Sequence, residues 1–312
     1  MERDAYFAYE KREHGICILR CYSSSGSVVI PKELDGCAVT EVNAYAFATE
    51  MEDEPVNSGD LPCICGDKLE ELYLPQTIQR LGRYIFYNCL HFRKLSCYSN
   101  LAYMGAGAFT GCENLSWLDM HCLDGNSCLR ELLQDLKQKV TVEFYGAQGE
   151  VFCRLVYPEF FEEAVENTPA RIISTQTHGM GIQYRNAFRN TQVIFEEYDR
   201  LFLTGKYNID LITAMEIALA RLRFPYNLDI SESARAEYVN WLREHLQETV
   251  GFLIDQEKSE ELRWLAESFA DTPTQMETLL EEAKQSGQPQ IVSLMMDIKY
   301  RRFPAKRKKF CL

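Results

Sequence analysis

One segment in the second half of the chain gathers side chains that could do acid–base chemistry. It reads TPARIISTQTHGMGIQYRNAF, residues 168–188, and places His178 beside Gly179 and close to Gly181. A histidine on a glycine-flanked loop has the pKa and the freedom of movement that a general base needs. The same segment holds three further candidates, Arg171, Tyr184 and Arg185. The alternative is a junction loop whose polar groups tie neighbouring elements together, and the sequence leaves both readings open.

The rest of the sequence supplies no second set of catalytic groups. Gly-Met-Gly lacks the spacing and the lysine of a phosphate-binding loop. No Ser/His/Asp arrangement and no pair of acids stands out elsewhere. We therefore predict that the protein is not an enzyme and that it uses no cofactor.

Twelve cysteines raise the question of a metal site. Cys63-Ile-Cys65 is a close pair, but a zinc site would need a second pair or histidines at zinc-finger spacing. We predict an ordinary loop there, with no metal bound. Most of the other cysteines are interpreted as small buried hydrophobes.

The net charge and the hydropathy pattern of the chain indicate which partners it binds and where in the cell it acts. The net charge of −13 makes the surface repel phosphate, which argues against nucleic acid. The N-terminal MERDAYFAYEK carries charges where a signal peptide needs an apolar run. No segment approaches the roughly 18 apolar residues of a membrane helix. We expect a cytoplasmic protein with a protein partner and no membrane association, and we leave its oligomeric state open.

The stretch from residue 69 to residue 122 repeats every 23 residues. Leu72, Leu95 and Leu118 mark the period. Further positions in register are Gly82 with Gly105, Phe86 with Phe109, and Cys89 with Cys112. A fixed period of this length indicates a solenoid, because one such unit cannot cover its own apolar face and must stack on the next.

Each unit contains a short strand whose two faces differ. Leucines point inward, so the alternate positions form two outward rows of candidate binding residues: Glu71, Lys94 and Trp117 in one, and Tyr73, Ser96 and Asp119 in the other. Aromatic and charged side chains on an exposed repeat face are typical of a recognition surface. Trp117 is the strongest candidate, and it is either covered by the second half of the chain or open to a partner.

These repeats resemble a known type. The patterns IPKELDGxxVxxVxxxAF, LxxLxLPxxIxxLG and AFTGCxxL, over roughly residues 25–122, are similar to leucine-rich repeats of the BspA-like type, which is common in bacterial surface proteins. The resemblance implies a leucine-rich-repeat solenoid over 1–124. We expect an N-terminal hairpin cap and a loop inserted near residues 48–68.

The sequence pattern of the second half of the chain predicts mainly helices. Residues 125–157 are interpreted as a C-terminal cap and junction, and 158–312 as a helical domain with a helix beginning after Pro158 and a basic tail. Ser231 and Thr272 are predicted N-caps, the latter followed by Pro273. Paired short helices predict an α-solenoid, and ETLLEEAKQSGQPQIVSLMMDIKYR resembles an ankyrin-type helix pair.

The fold class predicted is therefore α+β, a short leucine-rich-repeat solenoid followed by helical hairpins. Two repeat architectures without a catalytic set favour a cytosolic scaffold that binds a protein. Two alternatives remain open at this stage, an enzyme or metal-dependent regulator centred on the 168–188 loop, and a cell-surface adhesin as the resemblance implies.

Overall fold

A computed structural model describes residues 5–49, 61–123, 127–167, 172–223 and 230–304 of the chain. The chain divides into two compact units, Met1–Ile209 and Asp210–Leu312. Three features named above fall wholly or partly outside the described residues, namely Arg171, the basic tail from residue 305, and residues 50–60 of the inserted loop.

The first unit contains all sixteen strands of the described chain. They are β1 Ala5–Arg12, β2 Gly15–Ser23, β3 Ser27–Val29, β4 Glu33–Leu34, β5 Cys37–Val42, β6 Glu71–Tyr73, β7 Arg80–Leu81, β8 Lys94–Tyr98, β9 Tyr103–Met104, β10 Trp117–His121, β11 Val140–Tyr145, β12 Val151–Tyr157, β13 Phe161–Asn167, β14 Ile172–His178, β15 Phe188–Arg189 and β16 Gln192–Val193. Its helices are α1 Leu129–Asp135, α2 Gly181–Arg185 and α3 Phe195–Gly205.

The repeats form a β-solenoid in which the chain alternates between two sheets. One sheet has the order β1-β2-β5-β7-β9 with β4 paired to β5, and the other has the order β12-β11-β10-β8-β6-β3. The predicted period is confirmed, because Leu72, Leu95 and Leu118 pair side by side in parallel strands. All three leucines are fully buried between the sheets. β1 and β2 form an antiparallel hairpin next to β5, and its role as an N-terminal cap stays a prediction.

A row of phenylalanines fills the interior of the solenoid. The rings of Phe47, Phe86 and Phe109 stack with centroid distances of 5.7 and 5.3 Å. The two aligned cysteines sit beside this row, where the Cys112 thiol donates to the Phe86 carbonyl at 3.0 Å. Cys89 makes the equivalent bond to Phe47 one turn earlier, at 3.3 Å. These cysteines therefore fill the core and satisfy a carbonyl group of the preceding turn.

The repeated glycine is required by close stacking. A Cβ atom on Gly82 would lie 2.1 Å from the backbone nitrogen of Ala44, and one on Gly105 would lie 2.2 Å from that of Arg83. Both distances are too short for any side chain, since backbone atoms cannot move aside cheaply. The glycine recurs once in each repeat because it contacts the backbone of the preceding turn.

The segment after Pro158 differs from the prediction. Residues 161–167 form β13, which pairs with β14 in an antiparallel hairpin, where a helix was expected. The acids after Pro158 and the helical spacing of Phe161, Ala164 and Val165 both indicate a helix. The partner strand β14 carries β-branched Thr175 and Thr177, which favour extended structure. A cross-strand partner outweighed the local helix signal.

The second unit consists of helices in its described part. They are α4 Leu211–Arg223, α5 Glu232–Glu244, α6 Leu246–Asp255, α7 Ser259–Phe269, α8 Pro273–Gln285 and α9 Pro289–Arg302. Helix α4 packs on α5, α6 on α7 and α8 on α9, and these pairs stack through α6 with α8 and α7 with α9. The predicted N-caps Ser231 and Thr272 are confirmed by bonds to Ala234 and Gln275. The likeness to ankyrin repeats stays a prediction.

Candidate functional site

The two predicted rows lie on the outward face of the second sheet. Parallel pairing of β6, β8 and β10 aligns Glu71, Lys94 and Trp117 in one row. The same pairing aligns Tyr73, Ser96 and Asp119 in the other row. We call the six residues and the face that carries them the outer rows. The repeat period alone brings them together, since each strand enters the sheet in the same register.

A buried carboxylate organises the middle of the outer rows. Asp119 is only 5% exposed and accepts the indole N–H of Trp117 at 2.9 Å. Its other oxygen pairs with the ammonium of Lys94 at 2.8 Å. Such charge-assisted bonds to a buried group are strong and fix the side chains that make them. Asp119 therefore orients Lys94 and Trp117, and buried Ser96 beside it is likewise shielded from direct contact with a partner.

Trp117 is half-buried, and an arginine partly covers it. The guanidinium of Arg154, on the antiparallel strand β12, lies 5.6 Å from the centre of the indole ring. Arg154 is itself held by Glu143, with its Nε donating to a carboxylate oxygen at 2.9 Å. The indole is thus fixed by a hydrogen bond at its edge and a cation over its face. Part of the ring stays accessible in this rigid setting.

A ladder of three rings borders the outer rows. Tyr98, His121 and Tyr145 occupy aligned positions on β8, β10 and β11, and successive rings stack at 4.6 and 4.8 Å. His121 Nε2 lies 3.2 Å from Ser96 Oγ, and Tyr145 donates its hydroxyl to Glu143 at 2.9 Å. Through the His121–Ser96 bond, the three rings and the outer rows form one continuous surface of polar and aromatic side chains.

At the β6 end of the outer rows, Glu71 is paired with neighbouring side chains of the same surface. The Tyr73 hydroxyl donates to Glu71 at 2.8 Å, and the Arg93 guanidinium contacts the same carboxylate at 3.0 Å. These bonds lower the pKa of Glu71, with the Tyr73 bond as the largest cause. Burial, aided by Glu71, raises the pKa of Tyr73 to about 12. Glu71 therefore stays ionised and Tyr73 stays protonated at neutral pH.

Burial also lowers the pKa of His121 below its usual 6.5, an effect that Lys94 reinforces and Asp119 opposes. The native state thus binds a proton less readily than the unfolded chain. The free energy of unfolding therefore has its full value above the unfolded pKa of 6.5 and falls as the pH drops below it. We expect the first unit to lose more stability than its His121→Gln variant between about pH 7 and about pH 5. Urea denaturation at each pH measures this difference.

The exposed Gln148, which does not titrate, provides a control for this comparison. The Gln148→Ala variant should follow the pH dependence of the wild type. An unchanged pH dependence in His121→Gln would show that His121 titrates alike in both states.

The junction residues are not brought together as one site. Tyr184 and Arg185 are buried in the core of the first unit, whereas His178 ends β14 and is half-exposed, with its ring stacked 4.8 Å from that of Phe161. Arg185 donates to carbonyl groups of Leu133, Leu136, Gln138, Pro158 and Gly181. The arginine therefore ties the end of α1 to the segment after β12, which is a structural function.

No group of three or more potential metal ligands occurs among the described residues. Cys63 and Cys65 contact each other, and the hydrogen bond from Cys63 is the largest cause that lowers the pKa of Cys65, to about 6. In the same described part of the chain, no helix has the length and apolarity needed to cross a bilayer.

Sequence reasoning missed half of this surface. Tyr98 and His121 are 23 residues apart, so the repeat alignment contained the signal for the ring ladder. Glu143 and Arg154 gave no such signal, because β11 and β12 lie beyond the repeats, where β11 pairs with β10 and β12 pairs with β11. Only the folded sheet places Arg154 beside Trp117.

Stacked parallel strands with inward Leu72, Leu95 and Leu118 form a leucine-rich-repeat solenoid in the N-terminal part. Residues 63–127 match the family model described as BspA type Leucine rich repeat region (6 copies). Residues 63–127 are thus similar to BspA-type leucine-rich repeats, as the sequence patterns predicted. A helical region makes up the C-terminal part of the described chain. A comparison with curated proteins gives no match.

Two solved structures resemble part of the chain. A leucine rich cell surface protein from Faecalibacterium prausnitzii A2-165 is 15% identical over 39% of this chain and 31% of its own, with a TM-score of 0.27. The leucine rich repeat protein of T. pallidum is 19% identical over 36% of this chain and 68% of its own, with a TM-score of 0.19. The chain therefore spans about a third of the first structure. The register of the parallel strands and the match over residues 63–127 define the fold.

Proposed function

We propose that the protein is a cytosolic scaffold that binds a protein partner through the outer rows. The observation that carries the proposal is Trp117, which stays half-exposed while Asp119 and Arg154 hold it in place. Large aromatic side chains fixed before binding lose little entropy in a complex and commonly supply most of its affinity. Lys94 beside the indole adds a cation that is itself held by Asp119.

The ring ladder widens this surface and gives it a mixed character. Tyr98, His121 and Tyr145 offer ring edges, while Glu71 and Arg93 add charges at the β6 end. Because these charged groups form ion pairs with one another, a partner does not need a large opposite charge to bind this surface. An interface of this composition, aromatic at its centre and polar at its rim, is typical of protein–protein recognition.

The cytosolic location is supported by the thiols. Cys63 with Cys65 and Cys97 with Cys128 lie in contact as thiols, with no disulfide between them. Exported proteins commonly convert such pairs to disulfides in an oxidising environment. The adhesin alternative predicts export, so cell fractionation that finds the protein outside the cytoplasm would replace this part of the proposal.

An enzyme or metal-dependent regulator centred on the 168–188 loop is less well supported. It would use Arg171, His178, Tyr184 and Arg185 together, but Tyr184 and Arg185 are buried, and Arg185 donates to carbonyl groups. Arg171 lies outside the described residues. A scaffold without a cofactor accounts better for the described surface.

Replacing Trp117 by alanine should abolish most of the binding. A central aromatic anchor is worth about 2 kcal/mol or more, so the Kd should rise by roughly thirty-fold. The partner is first captured from native lysate by the full chain, identified by mass spectrometry and purified, and its Kd is then measured by calorimetry. Lys94→Ala should weaken the same complex to a smaller extent.

Tyr103 provides a matched control on the other sheet. It is 48% exposed and carries the Arg80 guanidinium 4.4 Å above its ring, much as Arg154 covers Trp117. The Tyr103→Ala variant should bind the partner like the wild type. Equal binding by Trp117→Ala, with its circular dichroism spectrum unchanged, would refute the proposed interface.

A further inference from the structure

The hairpin of β13 and β14 forms a sheet of its own. Seven residue pairs join the strands, from Phe161 with His178 to Asn167 with Ile172, and no third strand joins them among the described residues. Side chains on both faces are exposed, namely Glu162, Glu163, Ala164, Ser174, Thr175, Gln176 and Thr177. A two-stranded sheet without a packed face is only marginally stable in water.

Contacts at the base hold this hairpin to the first unit. Glu162 forms an ion pair with Lys137 at 2.6 Å. Within the hairpin, the Phe161 ring stacks on that of its cross-strand partner His178 at 4.8 Å. The backbone N–H of Phe160 also donates to the Lys137 carbonyl at 2.9 Å. No other strand of the described chain pairs with β13 or β14, so their outer edges are open to a further strand.

The two edges differ in their protection against such pairing. Glu162 and Glu163 place charges on β13, a common device that blocks strand addition. Residues 174–177 of β14 read Ser-Thr-Gln-Thr, with no charge and no proline. In the described part of the chain, their backbone forms no hydrogen bond to any element other than β13. The edge of β14 is therefore an uncharged, open template for a further strand.

We propose that two copies of this chain pair antiparallel through their β14 edges and form a four-stranded sheet. A second copy fits because an uncharged strand pairs with itself without placing like charges opposite one another, even though the chain carries a net charge of −13. Two-fold pairing brings Thr175 and Gln176 of both copies close to the axis. The acidic β13 strands become the outer edges, so a third copy is repelled and the assembly closes as a dimer.

The dimer is tested by sedimentation equilibrium of the full chain and of variants at Thr175. The paired edge is short and buries little surface, so we expect the wild type to dimerise with a Kd of about 1–100 µM. Thr175→Lys and Thr175→Glu each place like charges near the axis and should raise the Kd at least about tenfold. An equimolar mixture of the two variants should restore the dimer, because opposite charges then face each other.

Ala164 provides the matched control, since it is exposed and lies directly opposite Thr175 on β13. The Ala164→Lys variant should dimerise like the wild type. The proposal is overturned by a wild type that stays monomeric to about 100 µM, by a Thr175→Lys protein that still dimerises, or by a charge mixture that stays monomeric. Assembly beyond two copies would overturn the closure by β13. None of these outcomes depends on the outer rows.

Discussion

Replacing Phe86 by alanine should destabilise the first unit by about 3–5 kcal/mol. Phe86 is fully buried and lies in the middle of the stacked row, 5.7 Å from Phe47 and 5.3 Å from Phe109 between ring centres. A third ring, that of Phe92, packs on it at 4.8 Å. Stacked turns cannot collapse into the gap, because their spacing is fixed by the backbone contacts at Gly82 and Gly105.

Hydrogen exchange measured by mass spectrometry on peptides from β8 and β10 reports this loss without interference from the second unit. Leu90 is the control, since it lies in the same turn and is 45% exposed. The Leu90→Ala variant should change stability by no more than about 0.5 kcal/mol. Similar effects of the two substitutions would mean that the phenylalanine row is not the main core.

Replacing Arg185 by methionine should cost at least about 3 kcal/mol, because it leaves several buried carbonyl groups without a donor. The side chain is 2% exposed and donates to five carbonyl groups, two of them at the end of α1. Burial lowers the pKa of Arg185 to about 10, so the guanidinium remains charged at neutral pH. Its charge is stabilised by these carbonyl dipoles and by the Phe160 ring at 5.0 Å.

The exposed Arg189, four residues further along, is the matched control. Arg189→Met removes the same charge and should leave the urea midpoint of the first unit almost unchanged. The Arg185→Lys variant should be intermediate, since an ammonium group keeps the charge but cannot reach all five carbonyl groups. If Arg185→Met had the same urea midpoint as Arg189→Met, water would be able to replace the guanidinium. The hydrogen bonds of Arg185 between the end of α1 and the segment after β12 would then not be needed for stability.

The solenoid could be predicted because its signal is local and repeated. Leu72, Leu95 and Leu118 recur at one spacing, and each copy of the unit confirms the others. The same regularity is sufficient to place Glu71, Lys94 and Trp117 in one row. Helix caps at Ser231 and Thr272 were readable for a similar reason, since a cap depends on residues only three positions apart.

The hairpin after Pro158 could not be predicted in the same way. Its strands stabilise each other across the pairs Ala164 with Thr175 and Glu163 with Gln176, and neither strand alternates apolar and polar residues as a half-buried strand does. The local acids therefore suggested a helix. Arg185 was misleading for a related reason, because a polar side chain in sequence gives no sign of whether it meets solvent or buried carbonyl groups.

The sequence by itself determined the turn of the solenoid, the side of the strand on which each residue lies, and the alignment of the outer rows, because all three follow from one period and from strand alternation. Tertiary structure alone decided what surrounds those residues. Asp119 is buried and Arg154 covers part of Trp117 because β11 and β12 extend the sheet beyond the last repeat. Burial and coverage depend on elements distant in the chain, so no local pattern encodes them.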